Sequence, residues 1–234
     1  MDRMIDVDAA RALVADAALW PRVRDFLWDF APQVHGSWLE DLGRETLDGG
    51  REDETVAPHV ARLMSSPRVK RFVLSSLGIE PCFHAFPKED WSRLILLDGQ
   101  ALELIVKWLG ALACAGELRR VTDGATVRAL KTELSGVYPE VFGYTAYFSG
   151  FDLAAKNAGN AKKPEEVLSV GFELLSSLLD ACPEPLVKRF KLKLPKKLCE
   201  LGVPCGEKQE QISAGGAVKK LLKLKFPEAY RLCC

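Results

Sequence analysis

The sequence has no long hydrophobic run. The longest candidate stretch, residues 94–116, is interrupted by Asp98, Glu103 and Lys107, whereas a transmembrane helix needs about 18 or more consecutive apolar residues. The beginning of the chain, Met1–Leu13, is acidic and lacks the apolar core of a secretory signal. We therefore expect neither a membrane span nor an export signal, and we expect a cytoplasmic protein.

Catalytic and metal-binding signatures are absent as well. The sequence holds no Gly-x-Ser-x-Gly, no Gly-x-x-x-x-Gly-Lys-Ser/Thr and no Gly-x-Gly-x-x-Gly. Its three histidines, His35, His59 and His84, lie in no recognisable catalytic signature. Seven cysteines include no Cys-x-x-Cys pair, the spacing usual in structural zinc sites, and without an export signal we expect reduced thiols. We therefore predict no catalytic residue, no metal and no cofactor.

The chain also lacks a net charge, since 32 Lys and Arg balance 32 Asp and Glu. The two signs are nevertheless sorted along the sequence. Residues 183–234 carry 12 basic and 5 acidic residues, a balance of +7, and residues 1–182 carry the remaining 20 and 27, a balance of −7. A uniformly basic nucleic-acid binder is therefore excluded, and any such binding would fall to the C-terminal end.

The apolar residues recur mostly at helical spacing, which predicts an all-α fold made of several packed helices. Pro21, Pro67 and Pro164 each suit the first turn of a helix, because the N–H that proline lacks has no partner there. A short strand is an alternative over Cys82–Phe86, and the period-two alternation of Phe190–Leu194 allows another.

The centre of the chain has the clearest pattern. A long helix is predicted after Asp98, and Thr122 or Asp123 is expected to cap a second helix that ends at Gly136. Pro139–Phe148 is predicted to form a third helix, rich in aromatic residues.

Two glycine-containing stretches indicate domain boundaries. Residues 48–54 combine glycines with like charges, and residues 203–216 hold three glycines and a proline, so both are predicted to be loops. We predict an N-terminal helical subdomain over residues 1–54, a central helical core over 55–202 and a basic helical C-terminal tail over 203–234. Within this tail, Ala217–Lys225 is predicted to be a basic amphipathic helix.

Three groups of residues are candidates for binding a partner protein. Trp20, Trp28 and Trp38 lie in the acidic N-terminal region, where they suit either the core or a protein-binding face.

The second group lies between the two central helices. Arg119 and Arg120 either complement the C-terminal end of one helix or serve as interface anchors, and Arg128 belongs to the same candidate set.

The third group is in the tail. Lys219, Lys220 and Lys223 lie on the predicted basic helix. They suit a solvated helix face, a patch that binds an acidic protein, or a contact with anionic lipid or nucleic acid.

Three central segments resemble one known family. They are LILLDGQAL at residues 94–102, LGAL at 109–112 and LRRVTDGATVRAL at 118–130, followed by Tyr138, Phe142, Tyr144 and Phe148. The pattern is similar to that of the SctK (YscK-type) accessory proteins of bacterial type III secretion systems. The likeness is best over about residues 90–150 and weak over residues 1–80 and in the tail.

The resemblance implies a function but no active site. SctK-like proteins are cytosolic, largely helical and non-enzymatic, and they belong to the sorting platform beneath the injectisome. The implied role is that of an adaptor in protein transport, which joins the cytoplasmic domain of the inner-membrane ring protein (SctD) to the pod protein (SctQ). Such a protein takes no small-molecule substrate, is not expected to bind nucleic acid, and meets the membrane only through its partners. The alternative is a helical protein that binds anionic lipid or nucleic acid through its basic C-terminal tail.

Overall fold

The structure, a computed structural model, describes residues 11, 13–46, 66–80, 82, 84–87, 91–150, 161–201 and 208–234, without the side chains of residues 44–46 and 208–213. In this part of the chain the regular secondary structure is helical and no strand occurs, which confirms the predicted all-α fold. No helix described there is long and apolar enough to cross a membrane.

Most of the connections that lie wholly within the described residues are short. The α-helices, in chain order, are α1 (Trp20–Trp28), α2 (Gly36–Thr46), α3 (Pro67–Ser76), α4 (Gly99–Ala113), α5 (Ala115–Leu118), α6 (Gly124–Glu133), α7 (Pro164–Ser177), α8 (Glu184–Leu192), α9 (Lys196–Leu201), α10 (Lys208–Lys225) and α11 (Pro227–Cys233). Short 3₁₀ helices cover Ala31–Gln33, Trp91–Leu96, Glu140–Gly143 and Thr145–Phe148.

The chain forms two compact units, one from residues 1–99 with 182–196 and the other from residues 100–181 with 197–234. The predicted division at residues 54 and 202 stays a prediction. In the first unit, α1 and α8 both pack against the 3₁₀ helix Trp91–Leu96. The rings of Phe26, Phe30 and Phe86 meet edge to face in its core, with centroids 5.4 Å and 6.0 Å from that of Phe26. All three side chains are almost fully buried.

The second unit is built around a close crossing of α4 and α7. A Cβ atom on Gly110 would lie 2.0 Å from the carbonyl oxygen of Val167, and one on Gly171 would lie 2.0 Å from that of Val106. Only glycine permits this approach, because no real Cβ contact is that short. Helix α10 packs against α7 and α11 and completes the unit.

Several local predictions are settled by the structure. Asp123 rather than Thr122 caps α6, since its carboxylate accepts a hydrogen bond of 2.7 Å from the N–H of Thr126. The predicted helix over Pro139–Phe148 is replaced by two short 3₁₀ helices.

Both strand alternatives are wrong in the described residues. Cys82 and residues 84–86 have no regular structure, and α8 takes in most of Phe190–Leu194. The alternating segment also fits a helix, because Leu186, Phe190 and Leu194 recur every four residues and are all fully buried.

The loop predicted over residues 203–216 is wrong from Lys208 onward, where α10 begins. Gly215 lies inside this helix although glycine costs about 1 kcal/mol there relative to alanine. The neighbouring Ala214, Ala217 and Val218 are fully buried, so tertiary packing outweighs the local preference. Residues 203–207 and the loop predicted over residues 48–54 lie outside the described residues.

Candidate functional site

Trp20, which is half-buried, and Trp28, which is exposed, form an aromatic pair at the two ends of α1. Their ring centroids are 5.7 Å apart with an interplanar angle of 62°. The buried face of the helix is formed by Val23, Phe26 and Leu27. Trp28 is 61% exposed, so it is not a core residue, and the paired rings suit the protein-binding interpretation.

Trp38 is used inside the first unit instead. Its indole Nε1 donates a hydrogen bond of 2.9 Å to the carbonyl oxygen of Leu194, and the Nζ atom of Lys196 lies 5.7 Å from its ring centroid. These contacts hold α2 against the chain that follows α8. The tertiary contacts of Trp38 thus give it a structural role that its position in the sequence did not show.

Arg119 is also held by its own chain. Its Nη2 donates to the carbonyl oxygen of Phe142 at 3.3 Å and to the hydroxyl of Thr145 at 2.7 Å. The guanidinium carbon lies 5.6 Å from the ring centroid of Phe142, a cation–π distance. Arg119 therefore fastens the two 3₁₀ helices of the second unit to the end of α5.

Arg120 and Arg128 are exposed. Arg120 makes a salt bridge of 2.7 Å to Glu117, three residues earlier, and its side chain is 74% exposed. Arg128 lies on α6 near the capping Asp123. Hydrogen bonds from Thr126 hold the pKa of the Asp123 carboxyl below its ordinary value, and the charge of Arg128 acts in the same direction. Both arginines remain available to a partner at modest cost, because exposed ion pairs are weak.

The three candidate lysines of α10 differ in their surroundings. Lys219 and Lys223 are exposed, and neither forms an ion pair with any described residue. Lys220 instead donates through Nζ to the carbonyl oxygen of Tyr147, and it lies 5.8 Å from the ring centroid of Phe148. Among the described residues, two of the three therefore present charge without an ion-pair partner, and the third links α10 to the aromatic segment.

Lys225, which sequence reasoning did not single out, is held more closely than these. Its Nζ lies 4.0 Å from the ring centroid of Tyr144 and 4.7 Å from that of Trp108, and 2.5 Å from a carboxylate oxygen of Glu140. Burial alone would lower the pKa of Lys225, but the hydrogen bonds to Glu140 and Tyr144 raise it overall. The contact could not be read from the sequence, because 81 residues separate Lys225 from Tyr144.

Two buried cations of the first unit were likewise missed. Lys193 donates through Nζ to the carbonyl oxygens of Ile95 at 2.7 Å and Leu97 at 2.9 Å, and burial lowers its pKa to about 7. Arg189 donates to the carbonyl oxygen of Glu80 at 2.8 Å and lies 5.7 Å from the ring centroid of Phe26. These side chains satisfy backbone carbonyl groups at the end of the 3₁₀ helix Trp91–Leu96 and in the irregular chain at Glu80 and Leu97.

The described residues contain no cluster of three or more His, Cys, Asp or Glu side chains that could hold a metal ion. No disulfide joins the cysteines in the described part of the chain. Burial, followed by the charges of Glu166 and Glu117, raises the pKa of the Cys114 thiol to about 12. That thiol is therefore inert at neutral pH, because the thiolate is the reactive form.

A comparison of the sequence with models of known protein families agrees with the helical architecture and the central motif. The sequence model of the family described as YOP proteins translocation protein K (YscK) matches residues 50–233. The chain belongs to the YscK family. As a YscK-family member it is a protein of type III secretion systems. No curated protein and no solved structure matches the chain.

The match begins well before the segments that first carried the resemblance. It includes α3, α8 and α10 as well as the central helices, and it leaves Trp20, Trp28 and Trp38 outside. The three tryptophans are therefore features of this chain that the family match does not account for.

Proposed function

We propose that this YscK-family protein is a non-enzymatic adaptor in the sorting platform of a bacterial type III secretion system. It lies in the cytoplasm at the inner-membrane face of the injectisome. It links the cytoplasmic domain of an SctD-like ring protein to an SctQ-like pod protein. Its work is binding, so its functional groups are exposed apolar and charged side chains rather than a catalytic cleft.

The proposal rests on one observation: each of the two units exposes its own large apolar side chains. Val14, Trp28 and Phe72 are 53%, 61% and 52% exposed in the first unit. Tyr147 and Leu224 are 56% and 45% exposed in the second. Exposed aromatic residues are typical anchors of protein interfaces. A chain with such anchors on both of its units is suited to hold two partners.

A bridging pull-down tests the adaptor. The tagged cytoplasmic domain of the ring protein is mixed with the pod protein, with and without the full chain. We expect the pod protein to be recovered only when the full chain is present. Recovery of the pod protein without the chain, or no recovery with it, would contradict the adaptor role.

The variants Trp28→Ser and Tyr147→Ser then test the two sets of anchors. Each replaces one exposed aromatic residue in one unit, so each serves as the matched control for the other. If the units bind different partners, each variant loses one partner and keeps the other.

Binding of anionic lipid or nucleic acid through the tail receives less support. A helix that lies in a membrane surface must insert its apolar face. The apolar face of α10, formed by Ala217, Val218, Leu221 and Leu222, is already buried within the second unit. Lys220 and Lys225 are likewise turned toward residues 140–148. This alternative would be restored if the chain bound vesicles or DNA, if that binding fell steeply with added salt, and if deletion of residues 203–234 abolished it.

A further inference from the structure

An exposed surface of the second unit combines apolar and basic side chains. We call it the α10 surface and define it by Tyr147, Lys219, Lys223 and Leu224. It lies where α10 is joined to the 3₁₀ helix Thr145–Phe148 through the contact of Lys220 with the Tyr147 carbonyl oxygen. Its shape is therefore set by the fold, since this contact fixes the two elements to one another.

The apolar part of the α10 surface rests on a rigid support. The ring of Tyr147 lies 6.1 Å from that of Tyr144, which in turn meets the buried Trp108 edge to face at 5.4 Å. Leu224 follows Lys220 by one helical turn and directly precedes Lys225, and these are the two lysines that contact residues 140–148. A pre-ordered aromatic side chain loses little entropy on binding, which makes it an effective anchor.

The basic part carries charge that no acidic side chain among the described residues pairs with. Lys219 and Lys223 are four residues apart and therefore project from the same face of α10. Neither has an acidic partner within the described residues, in contrast to Lys225, which is paired with Glu140. Two such cations beside two exposed apolar side chains are complementary to a ligand with the opposite charge and the same amphipathic character.

We propose that the α10 surface binds an acidic amphipathic segment of a partner protein. Tyr147 and Leu224 contact the apolar side of that segment, and Lys219 and Lys223 pair with its carboxylates. This inference rests on the proposed function for the partner's identity, but the chemistry of the ligand follows from the α10 surface itself. A protein ligand is favoured over a membrane, because the apolar face of α10 is buried and, among the described residues of the unit, two large apolar side chains are exposed.

The test titrates the full chain with two synthetic helical peptides by fluorescence anisotropy. The peptides share a leucine face and differ in carrying Glu or Lys on the other side. We expect the Glu peptide to bind more tightly than the Lys peptide, and less tightly as salt is added. The double variant Lys219→Glu/Lys223→Glu should lower the affinity for the Glu peptide at least about tenfold. Tyr147→Ala should lower it by a similar factor.

Two controls separate the α10 surface from general effects. Lys131→Glu/Lys162→Glu reverses the same number of exposed charges elsewhere in the same unit, and it should leave the affinity within about twofold. Binding of the Lys peptide by Lys219→Glu/Lys223→Glu shows that this variant is folded and that charge complementarity determines which peptide binds. Equal affinity of the wild type for both peptides, or an equal loss of affinity in Lys131→Glu/Lys162→Glu, would overturn the proposal.

A flotation assay with vesicles that contain phosphatidylserine tests the remaining alternative, that the ligand is a lipid. Flotation of the chain with these vesicles, together with no binding of the Glu peptide, would assign the α10 surface to lipid and overturn the proposal. Neither peptide derives from the ring or the pod protein, so the result of the peptide titration is independent of the bridging pull-down. Failure of the pull-down with retained peptide binding would reject the adaptor role alone.

Discussion

Gly110 and Gly171 meet where α4 crosses α7, and neither position has room for a side chain. A Cβ atom on Gly171 would lie 2.8 Å from the amide nitrogen of Gly110, and one on Gly110 would lie 3.2 Å from that of Gly171. The backbones of the two helices therefore touch. Leu109, Val170 and Leu175, all buried, lie on either side of this contact.

Substitution of either glycine should destabilise the second unit strongly. We expect Gly110→Ala or Gly171→Ala to lower the free energy of unfolding by at least about 2 kcal/mol, because the added methyl group would have to displace backbone atoms. Chemical denaturation measures the change. Gly116→Ala is the matched control, since no atom lies within 4 Å of its added Cβ, and it should be neutral or slightly stabilising. Equal stability of all three variants would show that the helices do not cross this closely.

The buried Lys193 should make stability depend on pH in the alkaline range. Its pKa is lowered to about 7 in the folded chain, from an ordinary value of 10.5, mainly by burial; the charge of Asp98 opposes this shift and that of Arg22 adds to it. Between these two values the unfolded chain binds the extra proton, so stability rises as pH increases from about 7 to about 10.

The measurement for Lys193 compares unfolding free energies of the wild type and Lys193→Met across this range. The difference in slope should approach about 1.4 kcal/mol per pH unit at its steepest, the value for one proton. Lys188→Met, in the exposed part of α8, is the control and should keep the wild-type slope. Parallel curves for the wild type and Lys193→Met would refute the linkage.

Arg119 and Arg120, adjacent in sequence, should differ in their effect on stability. Arg119→Ala removes the hydrogen bonds to Thr145 and Phe142, and we expect a loss of about 1 kcal/mol, limited by the exposure of the side chain. Arg120→Ala removes only an exposed ion pair with Glu117 and should cost less than about 0.5 kcal/mol. Thermal unfolding of both variants gives the comparison, and a larger loss for Arg120→Ala would reject the assignment.

The thiols should react in an order set by burial. Among the described cysteines, Cys234 is exposed and should be labelled first by a maleimide, whereas Cys114 should resist until the chain unfolds. Peptide mapping by mass spectrometry after short and long exposure measures the order. Labelling in denaturant is the control, since all cysteines then become accessible. Rapid modification of Cys114 in the native chain would mean that the end of α4 is open.

The all-α fold, most helix starts and the family resemblance could be read from the sequence. Helical periodicity and proline placement are local signals, so α3 and α7 begin at Pro67 and Pro164 as predicted. The glycine at position 110 was visible within the LGAL segment. The reason for a glycine at this position was not visible in the sequence, because it depends on Gly171 in another helix.

Only the tertiary structure decided which candidate residues are exposed. Trp28 and Trp38 share a residue type and a region, yet one is exposed and the other hydrogen-bonds to Leu194. Lys219 and Lys220 are neighbours, yet one is solvated and the other contacts Tyr147. These differences come from contacts between residues far apart in the chain, which no local pattern encodes. The tertiary packing of α10 likewise outweighs the local preference of the glycines, which predicted a loop.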